Sequence, residues 1–407
     1  MPQPMDITMS TPLMEKSRSN GSCSGSDSSP DSNRAPATPQ LQHWSLYAAG
    51  GGCHKSLAVL SGHAGPVYCL ALCGEFVLSA SHGRDIIVWQ QPDLRRFAKF
   101  GHGGNGSVKA LAAVGGRIFS AHHDGRIRVW KVSRSSENLF RLVATLPTAR
   151  DYLGKFLNQG NYVETRRNHR KLWIEHADSI SCLAVDGGVV YSGSWDKTLK
   201  VWSASDLKCL ESIKAHDDAI NALVARKGAV FSASADGKIK IWAKEKSSHR
   251  LKAVLEGHKD ASWNSVVVVC DGGERSFVYG GGSDGRVMGW KEEAGGGGWK
   301  LVCDVRAHEM SVLCLCATRE FLCSGSADKS IGVWRREAGG GICRVGMIRG
   351  HEGPVKCLQA SADGVGGGFM LYSGGLDRSL RVWWVPRDCS QARSLEGING
   401  DAHTVLV

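Results

Sequence analysis

The residues of this 407-residue chain that most suggest chemistry are serines, histidines and aspartates at recurring spacing. His176, Ser192 and Asp196 combine the side-chain types of a nucleophilic triad, in which histidine takes the serine proton and aspartate orients the histidine. The same types return as His102, Ser120 and Asp124; His216, Ser232 and Asp236; His308, Ser324 and Asp328; and His351, Ser373 and Asp377. Each set precedes a tryptophan (Trp130, Trp202, Trp242, Trp334 or Trp383), with the Ser ten and the Asp six residues ahead of it. A catalytic centre occurs once, whereas this constellation occurs five times, so no residue is assigned as catalytic and the chain is not read as an enzyme. Two other motifs fail on context. The run "GHGGNG" at 101–106 fits a dinucleotide loop only if a helix follows, and strand-like "SVKALAAV" follows instead. The 14 cysteines include no C-x-x-C pair, so the usual zinc spacings are missing and neither metal nor cofactor is expected.

The elements that carry these residues are repeats. Aligned on tryptophan, "SHGRDIIVW", "HHDGRIRVW", "SWDKTLKVW", "SADGKIKIW", "GSDGRVMGW", "SADKSIGVW" and "GLDRSLRVW" end at Trp89, Trp130, Trp202, Trp242, Trp290, Trp334 and Trp383. The intervals are 41, 72, 40, 48, 44 and 49 residues, and all but the second suit one propeller blade. Each unit starts at a histidine (His63, His102, His176, His216, His258, His308 or His351) and then alternates apolar runs with Asp-Gly, Gly-Gly or Asp-Lys turns. This predicts a small antiparallel sheet per unit.

The pattern resembles the WD-repeat (WD40) family over about 330 residues, through the Gly-His start, the Asp six residues before the Trp, and the "VW" or "IW" ending. The resemblance implies an all-β, seven-bladed propeller with a central channel. It also implies that the His, Ser, Asp and Trp of each full set form a structural hydrogen-bonded tetrad. Only 24 residues follow Trp383, and "HKSLAVL" before His63 lacks a blade of its own, so residues 55–60 are expected to supply the outer strand of the last blade. Two units depart from the pattern: Gly83 replaces the first Asp, with Asp85 two positions on, and Gly280 replaces the fifth Ser. Weaker pinning is expected in blades 1 and 5, at about 1–3 kcal/mol for a buried group left unpaired.

The resulting organisation is a Ser/Pro-rich tail over 1–42, expected to be disordered, a propeller over 55–385 and a C-terminal tail over 386–407. Thr11-Pro12, Ser29-Pro30 and Thr38-Pro39 are candidate proline-directed phosphorylation sites. The Gly-rich runs near 294–298 and 338–341 are expected to be flexible outer loops. No apolar run approaches a membrane span or a secretory signal core, so the expectation is a soluble intracellular monomer with reduced cysteines. A formal charge of +11 permits acidic partners, RNA or anionic lipid without choosing among them.

The long interval holds about 28 extra residues, 148–175, between the second and third units. Thr148 is a candidate helix N-cap for an amphipathic turn ending at Gly160, and a hairpin-like stretch follows. That stretch concentrates Arg166, Arg167, His169, Arg170 and Lys171 between Tyr162 and Trp173, a mixture favoured at partner-binding surfaces. Three readings stay open: an excursion packed on blade 3, a protein-binding edge, and an import signal or RNA contact through "RRNHRK". The candidate contact residues are Tyr162, Arg166, Arg167, Arg170, Lys171 and Trp173, with Trp195 and Leu376 at turn tips on the same face.

The segment "TLPTARDYLGKFLNQGNYVETRRNHRKLWIEHADSISCLAV", with "SDLKCLESIKAHDDAINALV", is similar to the plant WD-repeat proteins called JINGUBANG-like. That resemblance implies a non-catalytic interaction scaffold of cytoplasm and nucleus, with partners such as transcription factors. RNA binding through the basic face and a ubiquitin-ligase substrate receptor are the alternatives. The blade ends lack the Trp-Asp-x-Arg that usually marks such receptors.

Overall fold

A computed structural model describes residues 54–387, apart from 102–105, 133–138, 156–157, 167–168, 272–275, 296–297 and 362–366. The expectations for the tail over 1–42 and for most of 386–407 lie outside the described residues. Seven four-stranded antiparallel sheets form, at 67–100, 108–146, 180–214, 220–256, 263–306 and 312–348, with a seventh at 355–386 completed by Lys55–Leu60. Each sheet is one blade. The seven inner strands touch their neighbours in an unbroken ring, from blade 1 round to blade 7 and back, and so enclose a central channel. Among the described residues no helix is long and apolar enough to cross a membrane.

Local chemistry accounts for the strands. In blade 3 the inner strand Ile180–Asp186 alternates buried and less buried residues, whereas the middle strands Val189–Ser194 and Thr198–Ser203, rich in β-branched and aromatic side chains, are buried nearly throughout. Blades 2, 3 and 4 join their first two strands by Gly115-Gly116, Gly187-Gly188 and Lys227-Gly228, with positive φ at both positions. That is the two-residue hairpin whose twist matches the strands it joins. The core lies between blades. The Trp202 indole, for example, packs with Phe119, Val129 and Leu146 of blade 2 and with Ile180 and Val190 of its own blade.

Closure uses the strand before the first blade. Lys55–Leu60 pairs antiparallel with Leu380–Pro386, Ala58 opposite Val382 and Leu60 opposite Leu380. The two ends of the fold thus share one sheet, in which Lys55–Leu60 is the outer strand. The run at 338–341 is a packed turn and not a loose loop: Gly340 is buried and its carbonyl accepts a 3.0 Å hydrogen bond from the Tyr279 hydroxyl.

Candidate functional site

The Ser-His-Asp sets come together, but out of reach of any substrate. In blade 3 the Trp202 Nε1–H donates to Ser192 Oγ at 2.9 Å, and Ser192 Oγ lies 2.8 Å from His176 Nε2. His176 Nδ1 lies 3.0 Å from Asp196, which also accepts from the Ala177 amide and the Thr198 hydroxyl. The carboxylate fixes the tautomer with Nδ1 protonated, so the serine hydroxyl donates to Nε2. Burial holds the His176 imidazole below its ordinary pKa, and the His176 contact holds Asp196 below the carboxylate range. Blades 4, 6 and 7 repeat the tetrad with His216, Ser232, Asp236 and Trp242; His308, Ser324, Asp328 and Trp334; and His351, Ser373, Asp377 and Trp383. The four serines have 0% exposure, so these hydroxyls brace a turn against a strand instead of meeting a substrate.

Three blades differ. In blade 2 Ser120 Oγ lies 2.8 Å from His122 Nε2 and also accepts from Trp130 Nε1. His102 falls outside the described residues, and Asp124 pairs with Arg128 at 2.7 Å. In blade 1, His63, Ser79 and Trp89 are joined, but with Gly83 in the Asp position the His63 Nδ1 has no partner among the described residues. Asp85 pairs with Lys99 at 2.6 Å. Blade 5 is built differently around Gly280. Trp263 fills the space, its ring edge-on to Trp290 at 5.5 Å and its Nε1–H donating to the Gly237 carbonyl at 2.9 Å, while His258 is exposed beside Asp304.

Strands alternate in direction, so the turns after the second strands and the connections into each next blade emerge on one face. The insertion rises there. Thr148 and Asp151 cap Ala149–Lys155 reciprocally, the Thr148 amide donating to Asp151 at 2.8 Å and the Asp151 amide to Thr148 Oγ1 at 3.4 Å. This helix ends five residues before Gly160. A hairpin of Tyr162–Arg166 and His169–Leu172 follows, its base closed by the Trp173 amide on the Asn161 carbonyl. Tyr152, Tyr162, Leu172, Trp173 and Ile174 pack into the core shared by blades 2 and 3, and the Tyr152 hydroxyl donates to Glu175 at 2.6 Å. The insertion is therefore a docked part of the propeller.

Between this hairpin and the blade 3 turn lies a groove of about 700 Å3. Val163, Trp173 and Trp195 form its apolar walls, and Lys197, Lys200 and Lys214 line it as well. Val163 is 51% exposed and Trp195 43%, the latter edge-on to His123 at 6.4 Å. Lys155 sits 4.0 Å from the Trp173 ring centre, and the buried Lys200 ammonium is held by the Trp173 carbonyl and Ser212. The groove acids are engaged: Asp196 in its tetrad, Glu175 by Tyr152, and Asp178 by the Ser179 amide.

Of the candidate contact residues, the structure brings Trp173 and Trp195 together across this groove. Tyr162 packs inward as an anchor, and the Lys171 ammonium donates to the His176 carbonyl at 3.3 Å. Arg170 is exposed. The side chain of Arg166 and the whole of Arg167 lie outside the described residues. Leu376 is 38% exposed on the blade 7 turn and does not line the groove. Sequence reasoning missed Val163, Lys197, Lys200 and Lys214. Their signal was only the position of Val163 in the hairpin and the alternation of lysines along blade 3.

Comparison with known proteins agrees with this architecture. The family described as WD40, "WD domain, G-beta repeat", matches residues 54–90, 168–203, 207–243, 299–335 and 343–383. Zinc finger CCCH domain-containing protein 59 of Arabidopsis thaliana is 31% identical over 111 residues, 27% of this chain and 18% of that protein. An F-box/WD-40 repeat-containing protein of the same plant is 27% identical over 161 residues, 39% of this chain and 26% of its own. WD repeat-containing protein 18 of Bos taurus is 26% identical over 195 residues, 39% of this chain and 45% of its own. The chain thus spans less than half the length of each of these relatives.

Proposed function

We propose that this chain, a seven-bladed propeller of WD40 repeats, is a non-catalytic protein-interaction scaffold whose partner seats in the groove between the inserted hairpin and the blade 3 turn. The observation that carries this reading is Trp195, a tryptophan 43% exposed at a turn tip facing a second apolar wall at Val163 and Trp173. Covering a large apolar side chain contributes about 1.5–3 kcal/mol. The lysines at 197 and 214, with the groove carboxylates engaged elsewhere, favour an acidic segment with an apolar anchor.

Similarity to JINGUBANG-like plant proteins supports a role in developmental or stress signalling, in cytoplasm and nucleus, with transcription factors among the partners. The relative named for an F-box supports the second reading, a substrate receptor that delivers such a partner to a ubiquitin ligase.

The test is proximity labelling in plant cells with the wild-type chain and a Trp195→Ala, Val163→Asp variant, after circular dichroism has shown equal melting temperatures. Specific partners are expected to disappear from the variant, and purified partner should bind it at least tenfold more weakly, as loss of about 1.5–3 kcal/mol requires. Identical partner sets would overturn the groove as the recognition element. If binding instead falls steeply with salt and is competed by RNA, the basic face is the functional one.

A further inference from the structure

The channel mouth is asymmetric in a way the repeat does not dictate. In all seven inner strands the ladder to the second strand shifts register after the first residue, so the second residue is bulged out of the pairing. Such bulges re-aim a side chain. In blades 3, 4 and 5 that side chain ties one blade to the next: Ser181 donates to the Ile220 carbonyl, Asn221 Nδ2 to the Trp263 carbonyl at 2.9 Å, and Asn264 Nδ2 to the Val312 carbonyl at 3.0 Å. The blade 6 residue is the apolar Leu313.

Blades 7, 1 and 2 place Lys356, Tyr68 and Lys109 in the same position. The inner strand of blade 1 packs between those of blades 7 and 2, so Tyr68 stands between the two lysines. Each of the three is half-buried while the residues on either side of it, Val355 and Cys357, Val67 and Cys69, Val108 and Ala110, are buried. Their remaining exposure is therefore toward the channel. Lys109 Nζ lies 4.3 Å from the Tyr68 ring centre, and His82 on the adjoining turn stands edge-on to the same ring at 5.8 Å between ring centres. Burial first, and then the Lys356 charge, push the Lys109 ammonium below its ordinary pKa. Among the described residues no carboxylate pairs with either lysine.

Two like charges held in a partly desolvated cleft repel each other, and an anion between them would reverse that cost. We propose that Lys109 and Lys356, on either side of Tyr68 at the channel mouth, form a binding site for a phosphoryl-type dianion. An ammonium is a compact point charge suited to phosphate oxygens, and the Tyr68 hydroxyl, which makes no hydrogen bond among the described residues, adds a neutral donor. The site lies on different blades from the hairpin groove and stands independently of it. Its ligand is either a small free phosphate compound or a phosphorylated side chain presented at the same face.

The test is calorimetric titration of the full chain at low ionic strength with inorganic pyrophosphate and, separately, with a capped glycyl-phosphoserine-glycine peptide and its unphosphorylated form. Saturable binding of pyrophosphate or of the phosphopeptide is expected, with none of the unphosphorylated peptide. Lys109→Met and Lys356→Met should each weaken binding about tenfold, and Lys109→Arg and Lys356→Arg should retain it. Lys131→Met, at an exposed position on another strand, should bind as wild type does. Binding of pyrophosphate alone assigns a free anion, and binding of the phosphopeptide alone assigns a modified protein. Should a Met variant fail to fold, the wild-type melting temperature in saturating ligand is the second readout, since a ligand of the native state must raise it. Absence of binding and of any such rise, or equal binding by the folded double Met variant, would overturn the site.

Discussion

Restoring serine to blade 5 by Gly280→Ser is expected to destabilise the propeller, although it returns that blade to the pattern of its neighbours. A Cβ at Gly280 would lie 2.8 Å from Trp263 Cζ3 and from Ile239 Cδ1, and 2.9 Å from Trp263 Cε3. Both contacts are with buried groups in the core between blades 4 and 5. The indole is also hemmed in from the other side, since a Cβ at Gly257 would meet Trp263 Cζ2 at 2.4 Å. It has no room to withdraw. The new hydroxyl would also lack its histidine, because His258 is exposed and paired with Asp304. Forcing extra atoms into a packed core costs about 1–3 kcal/mol, and the upper end applies where the neighbour is a rigid ring. Thermal unfolding followed by circular dichroism should show a loss of several degrees. Trp263→Val alone, which installs the residue found at that register in blades 1, 2, 6 and 7, should also destabilise, by leaving a cavity. The double variant should be more stable than the two single losses sum to, by about 2 kcal/mol. A Gly280→Ser protein as stable as wild type would show that Trp263 does not set this position.

Mild acid should unfold the propeller from a histidine-driven transition well above the carboxylate range. Burial pushes the His63 and His122 imidazoles from 6.5 down to about 4. The sign follows from linkage: as pH falls through 6.5 the unfolded chain takes up these protons and the folded chain does not, so stability drops until the pH reaches about 4. Between pH 7 and pH 4.5 the two residues together account for a loss of about 5 kcal/mol. His176, His216 and His351 are lowered in the same direction by burial and add to it. Asp236, Asp328 and Asp377, held below 3.8 by their hydrogen-bonding partners, act in a separate window: their contribution is present above that value and lost as pH falls further. Urea midpoints at pH 7, 5.5 and 4.5 measure this. A midpoint unchanged across that range would mean that the buried histidines are not held neutral. His63→Gln should flatten the slope by its own share, because His63 Nδ1 is the orphan of blade 1.

The residues that sequence alone interpreted well are those whose partners are set by short spacing. In four blades the Ser ten residues before a tryptophan meets both it and the blade's first histidine, and the Asp six residues before it meets that same histidine, because one hairpin and one turn separate them. The closing strand at 55–60 was legible because a strand without a blade and a blade without a strand leave one arrangement. The hairpin nature of 161–173 was legible from its alternation, and the cap from Thr148.

Sequence by itself thus determined the repeat, the blade number, the ring closure and the place of the insertion, since each rests on a period, a spacing or a turn signal. Tertiary structure decided whatever depends on residues from different blades meeting. Trp263 occupies the space of a missing serine because two glycines, at 257 and 280, leave room for its ring. Val163 faces Trp195 only once the hairpin is docked on blade 3, and Lys109 and Lys356 share one channel mouth only once blade 7 closes beside blade 1. These meetings join residues as many as 247 positions apart in the chain, as for that lysine pair. No local period encodes them, because packing of one blade against the next chooses which side chains meet.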